Sequence, residues 1–564
     1  MQVDKETTVS RVGTRNDARK RQAISCSGNT FVVRLRLVEG HVAEAWSSGR
    51  MMRNMNVLLQ GGLDEQGKPR FVQQAHCICN DAHALAAVRA LEALAGAVPP
   101  RNALLVRSIV QALRCIQDHL LHVYQFHLSD WADLERALRA DPARAALLAE
   151  QPGQDQAYFR QALDRVRFMS QGEAAELLSG PAPGHPDYRG PDEQHLLLLA
   201  HALESLQMAA RLYEAFDLLG CRGGVNPAYQ MGGLSEDMDL GSRTLDQLRE
   251  ILVQCSEFVS RTFLPDLERL ARAQPHWADQ GAGPAFLASG DYVQPFETGL
   301  LFPEGVVRPE ASTDGHWALS VEPLRAGDIR EEREPRWNEE NRRRYRLRDD
   351  DDNPLFAWGE GEYVWLPAPR HGPFPGGQAC EVGALARMLS AWAQGREPVR
   401  RVMRDSLEAC GLPPKAMNST LGRILARGQE SLVLARAGLD WLDELESALA
   451  RGDRTLRAQW RLPSSGLGTG RVEVARGALT HTIRIEDDRI VSHDYLIPSL
   501  WNFSPRDSSG VRGPMEQALL GSPIADPDHP LEALRTVHAF DPCNASHLVV
   551  EDQDSGRTII INAK

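Results

Sequence analysis

Lysine is nearly absent: it stands only at positions 5, 20, 68, 415 and 564 of a 564-residue chain that carries 63 basic residues. Net charge is −13 and pI about 5.8, so the clustered positive face that nucleic-acid binding requires is missing. Nucleic acid is thereby excluded as a partner. Long apolar runs are missing too. No stretch approaches the roughly 18 apolar residues of a membrane span, and the opening "MQVDKETTVSRVGTRNDARKRQ" lacks the apolar centre of a signal peptide. The expectation is a soluble, cytoplasmic chain with no membrane span. Cysteine is sparse, and nine scattered residues, an odd number, make no disulfide framework. A reducing compartment follows. What remains is 42% apolar and 25% charged, the composition of an ordinary globular protein long enough to bury a large core.

Hydrophobic periodicity organises the chain. "NTFVVRLRLVEGHVAEAW" (29–46) alternates on both sides of Glu39-Gly40 and predicts a hairpin. Apolar residues at three- and four-residue spacing predict helices over 83–97, 102–128, 155–178, 192–220 and 243–273; Leu113, Ile116, Leu120 and Val123 mark one face of the second. Long helices with short connections argue for a bundle. Residues 328–353, "DIREEREPRWNEENRRRYRLRDDDDN", are densely charged and predict a solvated surface excursion. "EVGALARMLSAWAQG" and "LGRILARGQESLVLARAGLDWLDELESALA" are helical again, and 471–500 alternates as strands. No internal repeat is visible.

Two short stretches carry metal-binding chemistry. "HCICNDAH" sets His76, Cys77, Cys79 and His83 within eight residues, and "AFDPCNASH" supplies Asp541, Cys543, Ser546 and His547 near the other end. Imidazole and thiolate hold zinc, nickel and iron. Small buried cysteines without a metal are the plain alternative.

The flanking text resembles the large subunit of nickel-iron hydrogenases along nearly the whole chain. The stretches that carry the resemblance are "AWSSGRMMRN" (45–54), "HALAAVRALE" (83–92), "QDHLLHVYQFHLSDW" (117–131), "VWLPAPRHGPFPGGQACEVGALARMLSAWA" (364–393), "RGALTHTI" (476–483), "IPSLWNFSPRD" (497–507) and "PIADPDHPLEALRTVHAFDPC" (523–543). The resemblance implies one large-subunit-like domain over 1–564. Its fold is α+β and mainly helical, with a long-helix bundle core and small peripheral β-sheets. It also implies a metal pocket. The family's subunit binds nickel and a cyanide- and carbonyl-carrying iron through two Cys-x-x-Cys motifs.

Laid over those motifs, the present sequence is incomplete. His76 stands at a nickel-only Cys position and Cys79 at a bridging one; Cys543 keeps the other nickel-only position, and Ser546 replaces the second bridging Cys. Cys77 lies one residue out of register. Ser27 stands where the family has its proton-relay Glu, and "VEGH" at 38–41 falls too close to "AWSSG" to replace it, which leaves Glu39 in a turn. Asn56 and Val549 stand at the two magnesium-ligand positions, and Val549 is also the maturation cleavage point. His83, Asp118, His122, Arg476, Asp507 and Asp541 match residues that line or support the pocket.

Two thiolates and an imidazole suit a mononuclear iron or zinc held by Cys79, Cys543 and His76, not an intact nickel-iron centre or magnesium. The leading expectation is a degenerate large-subunit homologue without hydrogenase activity, a maturation scaffold or accessory protein for an iron cyanide/carbonyl unit. Two others stay open: a redox-complex subunit with an altered metal centre paired with an iron-sulfur small subunit, and a structural pseudoenzyme. Partners would be that small subunit or hydrogenase maturation proteins. The tail 550–564 is expected to be retained, its "TIII" run forming an edge strand.

Overall fold

The computed structural model describes residues 31–49, 61–62, 69, 72, 79–171, 180, 182–220, 228–310, 317–332, 366–373, 377–543 and 546–563. Strands β1 (Phe31–Val38) and β2 (His41–Gly49) form the expected hairpin. Glu39 and Gly40 make its turn with φ of 51° and 70°, the paired left-handed residues of a two-residue hairpin loop. Glu39 is exposed there, as a turn residue should be.

Helix α1 (Asn80–Ala95) starts directly after Cys79 and stops at Gly96, whose left-handed φ of 63° lets its N–H cap the last turn. Helix α2 (Arg101–Leu121) buries Leu113, Ile116 and Leu120 on the face that the periodicity marks. It then widens into a π turn over His122–Phe126, so the helix expected through 128 changes pitch where its pocket-facing histidine lies. The third predicted segment forms Gln156–Met169, and the fourth forms α3 (Asp192–Leu218). The fifth divides into α4 (Ser242–Phe258), a π turn over Val259–Phe263, and Leu264–Ala273. Helix α5 (Ala384–Ala393) and the 31-residue α6 (Thr420–Ala450) complete the helical core, with α6 packed against α2, α4 and α5. Among the described residues no helix is long and apolar enough to cross a membrane.

Strands β3 (Gly466–Val474), β4 (Gly477–Glu486) and β5 (Arg489–Leu496) form an antiparallel sheet edged by Gly61–Gly62. This sheet is not peripheral: it packs against α1, and the β3–β4 turn carries Arg476 into the interior. Close approach requires glycine. A Cβ on Gly470 would lie 2.1 Å from the Ala86 carbonyl oxygen and 2.4 Å from the Ala90 nitrogen, both backbone atoms of α1. Gly470→Ala is expected to cost about 1–3 kcal/mol through overpacking. Thermal denaturation checks this, and an unchanged melting temperature would contradict so tight a contact.

Helix α7 (Leu531–Ala539) leads to β6 (Ser546–Asp552) and β7 (Arg557–Ala563). β6 runs parallel to β1, and β7 pairs antiparallel with β6, so the sheet order is β7-β6-β1-β2 and the two ends of the chain share one sheet. Leu548, Val550 and Ile559 from the C-terminal hairpin join Phe31, Val33 and Leu35 in a single apolar cluster. Of the charged stretch 328–353, Ile329–Glu332 is a strand paired with Ala368–His371; 333–353 lie outside the described residues.

Candidate metal site

Cys79 occupies the N-cap of α1, and its carbonyl accepts the His83 N–H at 3.1 Å. Cys543 arrives from the loop that follows α7. Asp541 in that loop takes a left-handed φ of 54°, donates its N–H to the His538 carbonyl at 2.8 Å, and turns the chain inward. The Cys543 N–H is then anchored on Ser499 Oγ at 3.3 Å. The two thiols, 464 residues apart in sequence, lie close enough that each perturbs the ionisation of the other. The structure therefore brings together the two cysteines that the sequence singles out.

Arg476 organises the groups around them. Its Nη1 lies 3.7 Å from Cys79 Sγ and 3.9 Å from Asp118 Oδ2, and its Nε lies 3.2 Å from Asp541 Oδ1. His122 Nδ1, on the π turn, approaches the same Asp541 oxygen at 3.4 Å. Arg427, from α6, bonds the Ala539 carbonyl at 2.7 Å and adds positive charge behind Asp541. Arg476, Asp541 and His122 are all buried, yet Arg476 Nε, Asp541 Oδ2 and both His122 nitrogens make no aligned hydrogen bond. Buried polar atoms left this way mark a place where an ion or ordered water belongs.

The electrostatics set the two thiols apart. The neighbouring Cys79 thiol lowers Cys543 to about 7 against the opposing effect of burial, and Arg476 adds to the lowering. Cys543 and burial push Cys79 well above the usual thiol range, so Cys543 is the first of the pair to lose its proton. Burial would raise Asp541, but Arg476 and His122 hold it well below the ordinary carboxylate range. Burial does raise Asp118, against Arg114 and Arg476. Because a thiolate is the nucleophile, alkylation of Cys543 by iodoacetamide is expected to rise through about pH 7, below the range of an ordinary thiol. In Arg476→Gln that midpoint should move upward. Peptide mass spectrometry across a pH series reads both, and an ordinary midpoint in the unaltered chain would contradict the assignment.

The other expected residues are placed unevenly. His83 Nδ1 lies 2.9 Å from His481 Nε2, and His481 Nδ1 lies 2.8 Å from His493 Nε2, a buried run of three imidazoles leading into β4 and β5. Asp507 is held by Arg370 Nε at 3.0 Å and accepts the N–H groups of Ser509 and Val511, so the contacts it makes organise its own loop. Val549 is half-buried in β6, between Arg34 of β1 and Ile560 of β7. Ser27, Asn56, His76 and Cys77 lie outside the described residues, as do the side chains of Ser546 and His547. Arg427 and Ser499 escape the sequence reading. Arg427 carried only a weak signal, a cation on the otherwise apolar run "LGRILARG".

Comparison with known proteins gives the family. The family described as nickel-dependent hydrogenase matches residues 53–547. The chain is 30% identical over 548 residues to the uptake hydrogenase large subunit of Rhodobacter capsulatus, covering 90% of each. It is 30% identical over 571 residues to the hydrogenase-1 large chain of Escherichia coli K12, covering 93% of each. In fold it is similar to the nickel-iron-selenium hydrogenase of Desulfovibrio vulgaris Hildenborough, with a TM-score of 0.68 at 24% identity, over 91% of this chain and 98% of that one. With two thiols meeting from opposite ends of the chain and family likeness along nearly its whole length, this protein belongs to the nickel-iron hydrogenase large-subunit family.

Proposed function

We propose that this chain is a degenerate large-subunit homologue that does not turn over hydrogen, and that it holds one metal ion, iron or zinc, between Cys79 and Cys543 as a maturation scaffold or accessory protein. The observation that carries the reading is the donor set. Two thiols meet beside a buried guanidinium, while His76 and Ser546 stand at the other two positions where the family resemblance calls for thiolates. A two-metal centre needs soft, anionic bridges, which a serine hydroxyl supplies poorly. One thiolate pair, with His76 as a third ligand, suits a single ion. Iron bound there would keep its cyanide or carbonyl ligands, and the Arg476 N–H groups are fixed and always charged, suited to donate to a cyanide nitrogen. The packed long helices serve in this reading as a bundle that holds the pocket rigid. The cytoplasm is the compartment in which such a scaffold and its maturation partners would meet.

A second reading is favoured by length. Coverage of 90% or more of full-size large subunits suits a subunit of a redox complex, paired with an iron-sulfur small subunit around an altered metal centre. Elemental analysis and infrared spectroscopy of the anaerobically purified protein, together with a hydrogen-uptake assay, test the proposal. Expected are iron or zinc without stoichiometric nickel, and no hydrogen-dependent dye reduction, because loss of ligands and of the relay Glu each removes orders of magnitude. Stoichiometric nickel with hydrogen-dependent dye reduction would sink it. A metal-free protein would leave the structural pseudoenzyme, and co-purification of an iron-sulfur protein would favour the second reading.

A further inference from the structure

A second set of donors converges inside the helical core. Cys115 and His119 lie four residues apart on α2, and Glu430 faces them from α6. His119 Nε2 is 2.7 Å from Glu430 Oε2 and 3.4 Å from Cys115 Sγ, and the sulfur is 3.6 Å from the same carboxylate oxygen. All three side chains are buried. A relay through histidine would use both ring nitrogens, one for each partner. Here one nitrogen, Nε2, faces both neighbours, and Nδ1 makes no hydrogen bond. Three donors aimed at one point is the arrangement of a ligand set.

The distances fit a tetrahedral ion. Zinc bonds of about 2.3 Å to sulfur, 2.0–2.1 Å to nitrogen and 2.0–2.2 Å to oxygen place donors about 3.3–3.6 Å apart. The two separations that involve sulfur, 3.4 and 3.6 Å, already match. The nitrogen–oxygen pair opens by about 0.6 Å once a metal replaces the proton between them. A thiolate and a carboxylate together neutralise a divalent ion. Arg387 grips Glu430 with Nε at 2.5 Å and Nη2 at 2.7 Å, which fixes the carboxylate plane, and its own charge is offset by Glu473 at 2.8 Å. Cys115 lines the same cleft as Cys79 and Asp118, which supplies an entry path to the sulfur.

We propose that Cys115, His119 and Glu430 form a second metal site with three protein ligands, specific for zinc-class divalent ions and independent of the Cys79–Cys543 pair. A thiolate among the donors selects against magnesium and calcium.

The test uses the full chain, made metal-free under anaerobic conditions and titrated with cobalt(II), whose thiolate complexes show a charge-transfer band in the near ultraviolet. The Cys79→Ser/Cys543→Ser variant is expected to bind one equivalent with that band, and adding Cys115→Ser should abolish both. No cobalt binding in the double variant, or a band that survives Cys115→Ser, overturns the proposal. If the triple variant fails to fold, alkylation in mild denaturant decides. In the double variant, zinc should protect Cys115 from N-ethylmaleimide and a chelator should reverse the protection; equal labelling with and without zinc overturns the site.

Discussion

Replacing Cys79 and Cys543 together by Ser is expected to bring protein-bound iron to background, or to lower zinc by one equivalent, and to remove any cyanide or carbonyl infrared bands. The two thiols are the soft donors that the described residues offer at this place, and a serine hydroxyl stays protonated at neutral pH, so it provides neither the charge nor the polarisability of a thiolate. The fold should survive the change. Arg476 keeps its 3.2 Å contact to Asp541, so no unpaired guanidinium is left in the interior. A melting temperature close to that of the unaltered chain is the control. Metal content unchanged in the double variant would place the ion elsewhere and remove the main support for the scaffold reading.

Ending the chain at Val549 is expected to unfold it or make it aggregate. By the family resemblance, Val549 stands at the maturation cleavage point. Here the bond after Val549 lies in the middle of β6, a strand paired on one side with β1 and on the other with β7. A cut there removes all of β7 and the second half of β6, including Val550 and Ile559, which are 0% and 1% exposed. Burying such a side chain is worth about 1.5–3 kcal/mol, and a strand that loses its neighbour exposes an unpaired edge, so the loss approaches the whole stability of roughly 5–15 kcal/mol typical of a folded protein. The same geometry supports retention of the tail 550–564 in the mature protein. Expression of the truncated chain beside the full one, with intact-mass spectrometry of protein from the native host, tests both. A soluble, cooperatively melting product, or a native chain that ends at Val549, would contradict them.

Much of the local structure could be read without coordinates because it depends on near neighbours. Alternation about Glu39-Gly40 specifies the hairpin, since both turn residues need a left-handed backbone. Three- and four-residue spacing of Leu113, Ile116 and Leu120 specifies α2, since burial of one face is what that spacing encodes. Cys79, Cys543, Asp541 and Arg476 could also be singled out, through family resemblance in the stretches that hold them. Their meeting was not written in any local pattern.

Tertiary structure alone decided which polar groups face one another. The π turn at His122–Phe126 brings His122 toward Asp541, whereas the periodicity of 102–128 predicts an uninterrupted helix. Asp507 reads as a residue that lines or supports the pocket, and its partner there, Arg370, lies 137 positions away in sequence. Cys115 and Glu430 lie 315 positions apart and meet because α2 and α6 pack side by side. The "TIII" run predicts a strand, but its position on β6 beside the parallel β1 depends on the two chain ends reaching the same sheet. The physical reason is common to these cases. Periodicity records how much of each segment is buried, and a segment's own residues carry that information. The partner that completes a charge, a ligand set or a sheet comes from another part of the chain, and only the packed core sets the distance between them.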